Sequence, residues 1–275
     1  MSTLKDPKPV AISVGTHAWR PDDEKIDKIV AILKKHNVKN LDTVFAYSQG
    51  LSEQSLGKRN LAAQFAIDTK ADTAIIPGSG RFILAFTKKS LEGLQTAKIE
   101  IPQKLYKEGS FEKLGISNFT KDQVLDIYNA AKSKDYVLPA VYQSSYSLIV
   151  RRNETELSPT LKELGFSLQA YSPMGNGFLA KRPEYIEQVR FHSVLDSSLR
   201  DKMIISSATT EQVEESVVEL GKGPLEPWVV KRIDEPWEIV KDHAPVDTLG
   251  SARKVARTAT YNAKFLDTNR TSDNA

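Results

Sequence analysis

Asp42, Tyr47 and Lys70 are the residues of this 275-residue chain whose types and placement best suit the movement of a proton. Asp42 and Tyr47 fall in and just beyond a segment, 40–44, that reads as a strand, and Lys70 closes a second one, 65–70. A buried ammonium beside a phenol stabilises the phenolate and lowers its pKa from about 10, while a carboxylate keeps that ammonium charged and oriented. Other strand ends are polar too: Ser117 and Asn118, Gln143, and Tyr171 with Ser172. Taken singly, each has a plainer reading, with Asp42 capping a turn, Lys70 solvated and Tyr171 a core ring with a bonded hydroxyl. They become a site only if the strand ends converge, which is what a parallel barrel makes them do.

The elements needed for that convergence are legible. Residues 11–16 form a short apolar run, and Ile26, Ile29, Val30 and Leu33 recur at helical spacing within 22–36. Strand patterns follow at 40–44, 65–70, 113–117, 140–146, 167–172 and 203–207, and helical patterns at 52–63, 82–94, 121–132, 159–164, 185–199 and 211–220. Alternation of this kind predicts a parallel sheet with covering helices, because parallel strands need crossover connections. Only seven strands are read; between 94 and 113 stands a short helical stretch, 101–108, with no strand before it. Thr120 with Gln123 and Thr209 with Gln212 predict capping boxes at two helix starts. Beyond Pro245 the periodicity fades, so 246–275 is expected to be a disordered polar tail behind a domain of residues 1–245.

Composition narrows the function. Hydrophobic residues make up 40% and charged residues 27%, the proportions of an ordinary globular chain, and there is no cysteine. Disulfides, thiolate metal sites and cysteine nucleophiles are thereby excluded, and no metal site is expected. The net charge is only +3, with no basic stripe before residue 250, so nucleic acid is not an expected partner. No apolar run approaches the roughly 20 residues of a membrane span, and 1–10 lacks a signal-peptide pattern, which points to a cytoplasmic protein.

Several segments together resemble the aldo-keto reductases, within them the aflatoxin-aldehyde-reductase-like branch and its fungal relatives. They are Asn40-Leu-Asp-Thr-Val-Phe-Ala-Tyr-Ser-Gln-Gly-Leu-Ser-Glu-Gln-Ser-Leu-Gly57, Leu114-Gly-Ile-Ser-Asn-Phe119, Val141-Tyr-Gln-Ser-Ser-Tyr146 and Ala170-Tyr-Ser-Pro-Met-Gly175. The resemblance spans most of 11–243 and implies a (β/α)8 TIM barrel that reduces an aldehyde or ketone with hydride from NADPH. By the same resemblance Tyr47 would protonate the carbonyl oxygen, Lys70 would lower the phenol's pKa and Asp42 would pair with Lys70. Ser117, Asn118 and Gln143 would bond the nicotinamide carboxamide, and Tyr171 would stack on its ring. Ser172, Pro173, Met174 and Gly175 would lie along the pyrophosphate. Ser206, Ser207, Thr209, Gln212 and Ser216 would hold the adenosine end.

The chain departs from that pattern in places. Ser206 stands where the family usually has Gly and Ser216 where it usually has Asn, and no Arg or Lys occurs between Ile204 and Leu220 for a 2′-phosphate. The family's fourth strand ends in a Leu-His pair whose histidine orients the carbonyl; none of His17, His36, His192 and His243 fits that slot, and only His17 faces the correct end. A loop that covers the cofactor is shortened after 178–181. The barrel is therefore expected to be incomplete, lacking the fourth strand and the covering loop, and a catalytically impaired relative acting as a binding subunit stands as the alternative. A sugar-phosphate isomerase or aldolase on the same barrel would instead use Lys70 as a Schiff base. His17, Ala18, Trp19, Phe45 and Tyr142 are read either as pocket lining or as core.

Overall fold

The computed structural model describes residues 9–17, 19–21, 23–44, 47–70, 82–87, 100–175, 200–206 and 209–244. Eight parallel strands follow one another around a closed barrel: β1 (Ala11–Gly15), β2 (Asn40–Asp42), β3 (Ala66–Lys70), β4 (Phe82–Thr87), β5 (Lys113–Ser117), β6 (Pro139–Ser145), β7 (Ser167–Tyr171) and β8 (Lys202–Ile205). Closure comes from β8 pairing with β1 in parallel, with Ile12 opposite Met203 and Val14 opposite Ile205.

The (β/α)8 architecture is the one expected, but the fourth strand expected to be missing is present. Phe82–Thr87, the start of a segment expected to be helical, pairs with β3 (Lys70 opposite Ala85) and with β5 (Thr87 opposite Ser117). Five apolar residues and a threonine carry no periodicity that separates a buried strand from a helical turn. The unpaired backbone edges of β3 and β5 decide the matter, since an open edge in a barrel wall leaves donors and acceptors unsatisfied. The segment in which the covering loop is expected to be missing, together with the expected helix 185–199 and the expected tail 246–275, lies outside the described residues.

The described helices are α1 (Lys25–Lys35), α2 (Leu51–Lys58), α3 (Glu100–Lys107), α4 (Lys121–Ser133), α5 (Asn153–Glu156), α6 (Ser158–Glu163), α7 (Thr210–Gly221) and α8 (Pro227–Val240). In α1, Ile26, Ile29, Val30 and Leu33 are all buried, while Asp27 in the first turn and Lys34 and Lys35 in the last complement the helix dipole. These side chains meet Leu41 and Ile67 of the strands in one apolar layer, joined by Val124 of α4 and by Val213 and Val217 of α7. Each such burial contributes about 1.5–3 kcal/mol. Trp19 and Tyr142 belong to this layer, so the core reading of both holds. Tyr142 donates its hydroxyl to Phe119 O at 2.7 Å, as a buried phenol must find a partner.

Inside the strands the barrel is polar. Gln143 of β6 bonds Asp42 of β2, and Gln169 of β7 bonds Asp68 of β3. Each bond joins strands four places apart in a ring of eight, so both cross the barrel axis. Bulky aliphatic residues usually fill that space. Here carboxylates, amides and ammonium groups occupy it.

Candidate active site

Asp42 and Lys70 are the last residues of β2 and β3, which places both at the carboxyl end of the barrel. Asp42 is 2% exposed and Lys70 9%. The Lys70 ammonium donates to Asp42 Oδ1 at 2.7 Å, to Oδ2 at 2.9 Å and to Thr43 O at 3.0 Å. Removing one member of such a pair leaves an uncompensated buried charge and costs about 3–5 kcal/mol. Beside it, Glu53 of α2 accepts from Thr69 Oγ1 at 2.9 Å, and burial pushes its carboxyl above the ordinary range.

Tyr47 opens a tight turn, 47–50, immediately before α2. Ser48 (φ 49°) and Gln49 (φ 55°) take left-handed backbone there, and Gly50 follows at φ 89°. Ser48 Oγ donates to His17 O at 3.2 Å, and Ser52 Oγ donates to Thr16 O at 2.8 Å, fastening this turn to the loop after β1. The Tyr47 ring meets the His17 ring edge-on, with centroids 5.0 Å apart, and the Lys70 ammonium lies 5.9 Å from its centroid. Burial, then the Asp42 carboxylate, then Tyr171 push the Tyr47 phenol well above its ordinary value of about 10. That is the reverse of the lowered value expected from Lys70, because the ammonium's hydrogen bonds go to Asp42 and Thr43 O and the dry environment disfavours a phenolate.

The amide cluster stands across the mouth. Ser117 and Gln143 are register partners on β5 and β6. Asn118, left-handed at φ 64°, donates from Nδ2 to Ser117 Oγ at 3.0 Å, and its Oδ1 accepts from the Tyr171 hydroxyl at 3.0 Å. Gln143 donates from Nε2 to Asp42 Oδ1 and to Gln169 Oε1, each at 2.9 Å. Ser172 is left-handed at φ 55° and opens a turn that Gly175 closes by donating to Ser172 O at 2.9 Å; Pro173 and Met174 lie between them. Ser48, Gln49, Asn118 and Ser172 thus hold left-handed backbone in three loops that follow β2, β5 and β7. Strain of this kind collects where a site must hold an unusual geometry.

Asp42, Lys70, Ser117, Asn118, Gln143 and Tyr171 are therefore brought together as the sequence predicts, with Tyr47 above the ion pair. The residues expected at the adenosine end sit elsewhere on the rim. Ser206 follows β8 and is exposed, Thr209 Oγ1 accepts from Gln212 N at 3.3 Å at the start of α7, and Ser216 lies half-buried within that helix. Ser207 lies outside the described residues, as do Ala18 and Phe45. Sequence reasoning misses Asp68, Gln169 and Lys202. Asp68 is 3% and Gln169 2% exposed in mid-strand. The available signal is a carboxylate and an amide inside segments otherwise read as buried strands.

A closed parallel barrel with a buried ammonium–carboxylate pair, a phenol and an amide cluster at its carboxyl mouth defines the class, a TIM-barrel protein. The chain belongs to the aldo/keto reductase family. It matches the Aldo/keto reductase family over residues 101–197. It is 31% identical to "Oxidoreductase sirO" of Leptosphaeria maculans over 287 aligned positions, covering 79% of this chain and 87% of that protein. Because 79% of 275 residues is fewer than 287, the relative carries segments that this chain lacks. "Aflatoxin B1 aldehyde reductase member 2" of Rattus norvegicus is 26% identical, covering 77% of this chain and 79% of that one, which places the chain near the aflatoxin-aldehyde-reductase branch. The crystal structure of an aldo-keto reductase from Klebsiella pneumoniae in complex with NADPH superposes with a TM-score of 0.63 at 18% identity, covering 85% of this chain and 96% of that one. It has the same fold. Among the described residues no helix is long and apolar enough to cross a membrane.

Proposed function

We propose that this protein reduces an aldehyde or ketone to the alcohol, with NADPH as the hydride source and Tyr47 as the proton donor. The observation that carries the reading is the buried Lys70–Asp42 pair at the barrel mouth, whose ammonium lies 5.9 Å from the centroid of the Tyr47 ring. The residues present fit the nicotinamide end of the cofactor. Gln143 spends both amide hydrogens on Asp42 and Gln169, which leaves Oε1 to accept from a carboxamide, and the Ser117 hydroxyl stands beside it with Asn118 and Tyr171. NADPH bound there supplies hydride equivalents. The turn 172–175 and the start of α7 would hold its pyrophosphate and adenosine ends.

Tyr47 then gives its hydroxyl proton to the carbonyl oxygen. Its raised pKa keeps it protonated, the form that reduction requires. Lys70 sets the field across the phenol, so that the anion left behind is opposed by a fixed ammonium rather than by solvent. His17, in ring contact with Tyr47, takes the carbonyl-orienting part that the family gives to a histidine after the fourth strand. Positioned general acid catalysis contributes about 10²- to 10⁴-fold.

The test is titration of the protein with NADPH, followed by the rate of NADPH oxidation with a reactive aldehyde. Saturable binding and turnover that Tyr47→Phe abolishes are expected. Binding without turnover would favour the cofactor-binding alternative, and no saturable binding would overturn the reading.

A further inference from the structure

Behind the mouth, the buried polar groups form one continuous chain. Lys70 bonds Asp42, Asp42 Oδ1 accepts from Gln143 Nε2, and Gln143 Nε2 also donates to Gln169 Oε1. Gln169 Nε2 donates to Asp68 Oδ2 at 2.8 Å, and Lys202 Nζ lies 3.1 Å from the same oxygen. Lys202 opens β8, at the opposite end of the barrel from the mouth. Two carboxylates and two ammonium groups balance within the barrel, so the chain carries no net charge.

The ends of this chain fix its direction. An ionised carboxylate accepts and never donates. Facing Asp68, Gln169 must turn its nitrogen inward and leave its oxygen for Gln143. Facing Asp42, Gln143 must likewise turn its nitrogen inward, and that nitrogen also meets the Gln169 oxygen. Reversing either amide sets oxygen against carboxylate, or nitrogen against nitrogen. A single arrangement satisfies every bond, and in it Gln143 Oε1 is the atom left over. Burial, with Asp42 adding to it, still holds the Asp68 carboxyl above its ordinary range, and it is the geometry that keeps Oδ2 an acceptor: the oxygen facing Gln169 also faces the Lys202 ammonium at 3.1 Å, toward which it can only accept.

We infer that Asp68, paired with Lys202, acts through Gln169 as a second restraint beside Asp42 that fixes the amide of Gln143 with its oxygen toward the site, so that the pocket accepts from a carboxamide and refuses a carboxylate. Asp68, Lys202 and Gln169 are thus positioning residues that touch neither substrate nor cofactor. The inference rests on the proposed function for the identity of the ligand, but the amide arrangement itself does not.

Two measurements separate these. The first compares the affinity of the protein for NADP with that for its nicotinic-acid analogue, in which a carboxylate replaces the carboxamide. The second follows hydrogen exchange of the Gln143 side-chain amide by NMR without any dinucleotide, its resonances assigned by their loss in Gln143→Leu. Wild type should favour the carboxamide by about tenfold or more, the cost of leaving a buried acceptor unmatched, and its Gln143 amide should exchange slowly. The double variant Asp68→Leu with Lys202→Leu removes both charges at similar volume, a change that buried ion pairs often tolerate. Asp42 still faces the Gln143 nitrogen in it, so it should lose part of the discrimination, about threefold, together with the slow exchange of the amide hydrogen given to Gln169; Asp68→Asn with Lys202→Gln, which restores a neutral acceptor for Gln169, should return both. If the leucine pair does not melt cooperatively, Gln169→Met removes the link alone and is read the same way. Unchanged exchange in the leucine pair or in Gln169→Met overturns the inference, as does unchanged discrimination where wild type binds. Wild type binding neither dinucleotide would sink the proposed function, and amide exchange would still decide the arrangement.

Discussion

Among the described residues, an ion-paired cluster buried inside the barrel can be set beside a half-buried one outside it, and the two differ in what surrounds them. Inside the barrel, Lys70 and Asp42 sit among amides whose bonds cross the axis. Outside it, Arg151 donates to Glu154 Oε1 at 2.7 Å and to Asp234 of α8 at 2.8 Å, its guanidinium 5.4 Å from the ring centroid of Trp237. Tyr146 adds its hydroxyl to Glu154 at 2.6 Å. This outer cluster pins α8, which carries Pro236 in its interior, against the segment after β6. The planar guanidinium is satisfied at both ends by carboxylates and stacked on an aromatic ring, an arrangement that leaves nothing to offer a ligand. At the inner cluster, the ammonium lies beneath a phenol and the amide chain ends in an unspent acceptor. Burial and pairing alone therefore do not mark a site; the unspent group does.

The largest expected effect is at Tyr47. Tyr47→Phe should lower NADPH oxidation by about 10²- to 10⁴-fold. Cofactor affinity should hold within about threefold, since no carboxamide bond runs through the phenol. A full rate in Tyr47→Phe would remove the chemical distinction between the two clusters. Because the Tyr47 pKa lies above its ordinary value, the acid form persists as pH rises, and the reduction rate should show no fall on approaching pH about 10. A falling limb near neutrality would mean that another group donates the proton.

Lys70→Met should abolish turnover and also cost about 3–5 kcal/mol, because Asp42 is left charged and dry. Adding Asp42→Leu should recover much of that stability and none of the activity, as read by denaturant melts beside the oxidation assay. Recovery of activity in the double variant would make the inner pair merely structural, like the outer one. Arg151→Met gives the converse. Losing charge-assisted bonds to Glu154 and Asp234 should destabilise by about 1–3 kcal/mol while the rate per folded molecule stays that of wild type.

What the sequence discloses follows the range of the interaction. Asp42 and Lys70 end predicted strands, and a parallel barrel brings such ends together whatever the details of packing, so their meeting is legible. Ser117 and Tyr171, the last residues of β5 and β7, are legible for the same reason. The bonds to Asp68 are not: Gln169 lies 101 residues away and Lys202 134 residues away, and mid-strand polar residues read only as breaks in an apolar pattern. Arg151 with Asp234, separated by 83 residues, is hidden likewise. The strand Phe82–Thr87 fails to show because six residues are too few to establish a period, and its assignment is made by the edges on either side. The direction of the Tyr47 pKa is missed because proximity to Lys70 could be guessed, whereas dryness and the direction of the ammonium's bonds could not.

The smallest effect tests how far the inner cluster depends on its surroundings. Thr120 accepts from Gln123 N at 3.4 Å, and the Gln123 side chain accepts from Thr120 N at 3.0 Å, the capping box that the sequence predicts at the start of α4. Asn118, held left-handed between Ser117 and the Tyr171 hydroxyl, stands two residues before this cap. Thr120→Ala should cost about 1 kcal/mol of global stability, the usual loss for an N-cap. If the strained turn at Asn118 is held by its own bonds to Ser117 and Tyr171, NADPH affinity should fall by less than about threefold, and by the same small factor at low and high salt, since no charge is removed. A loss of affinity far beyond the loss of stability would mean that the cap, rather than the amide cluster, sets the geometry of the mouth. The contrast with the outer cluster would then rest on helix ends and not on unspent hydrogen-bonding groups.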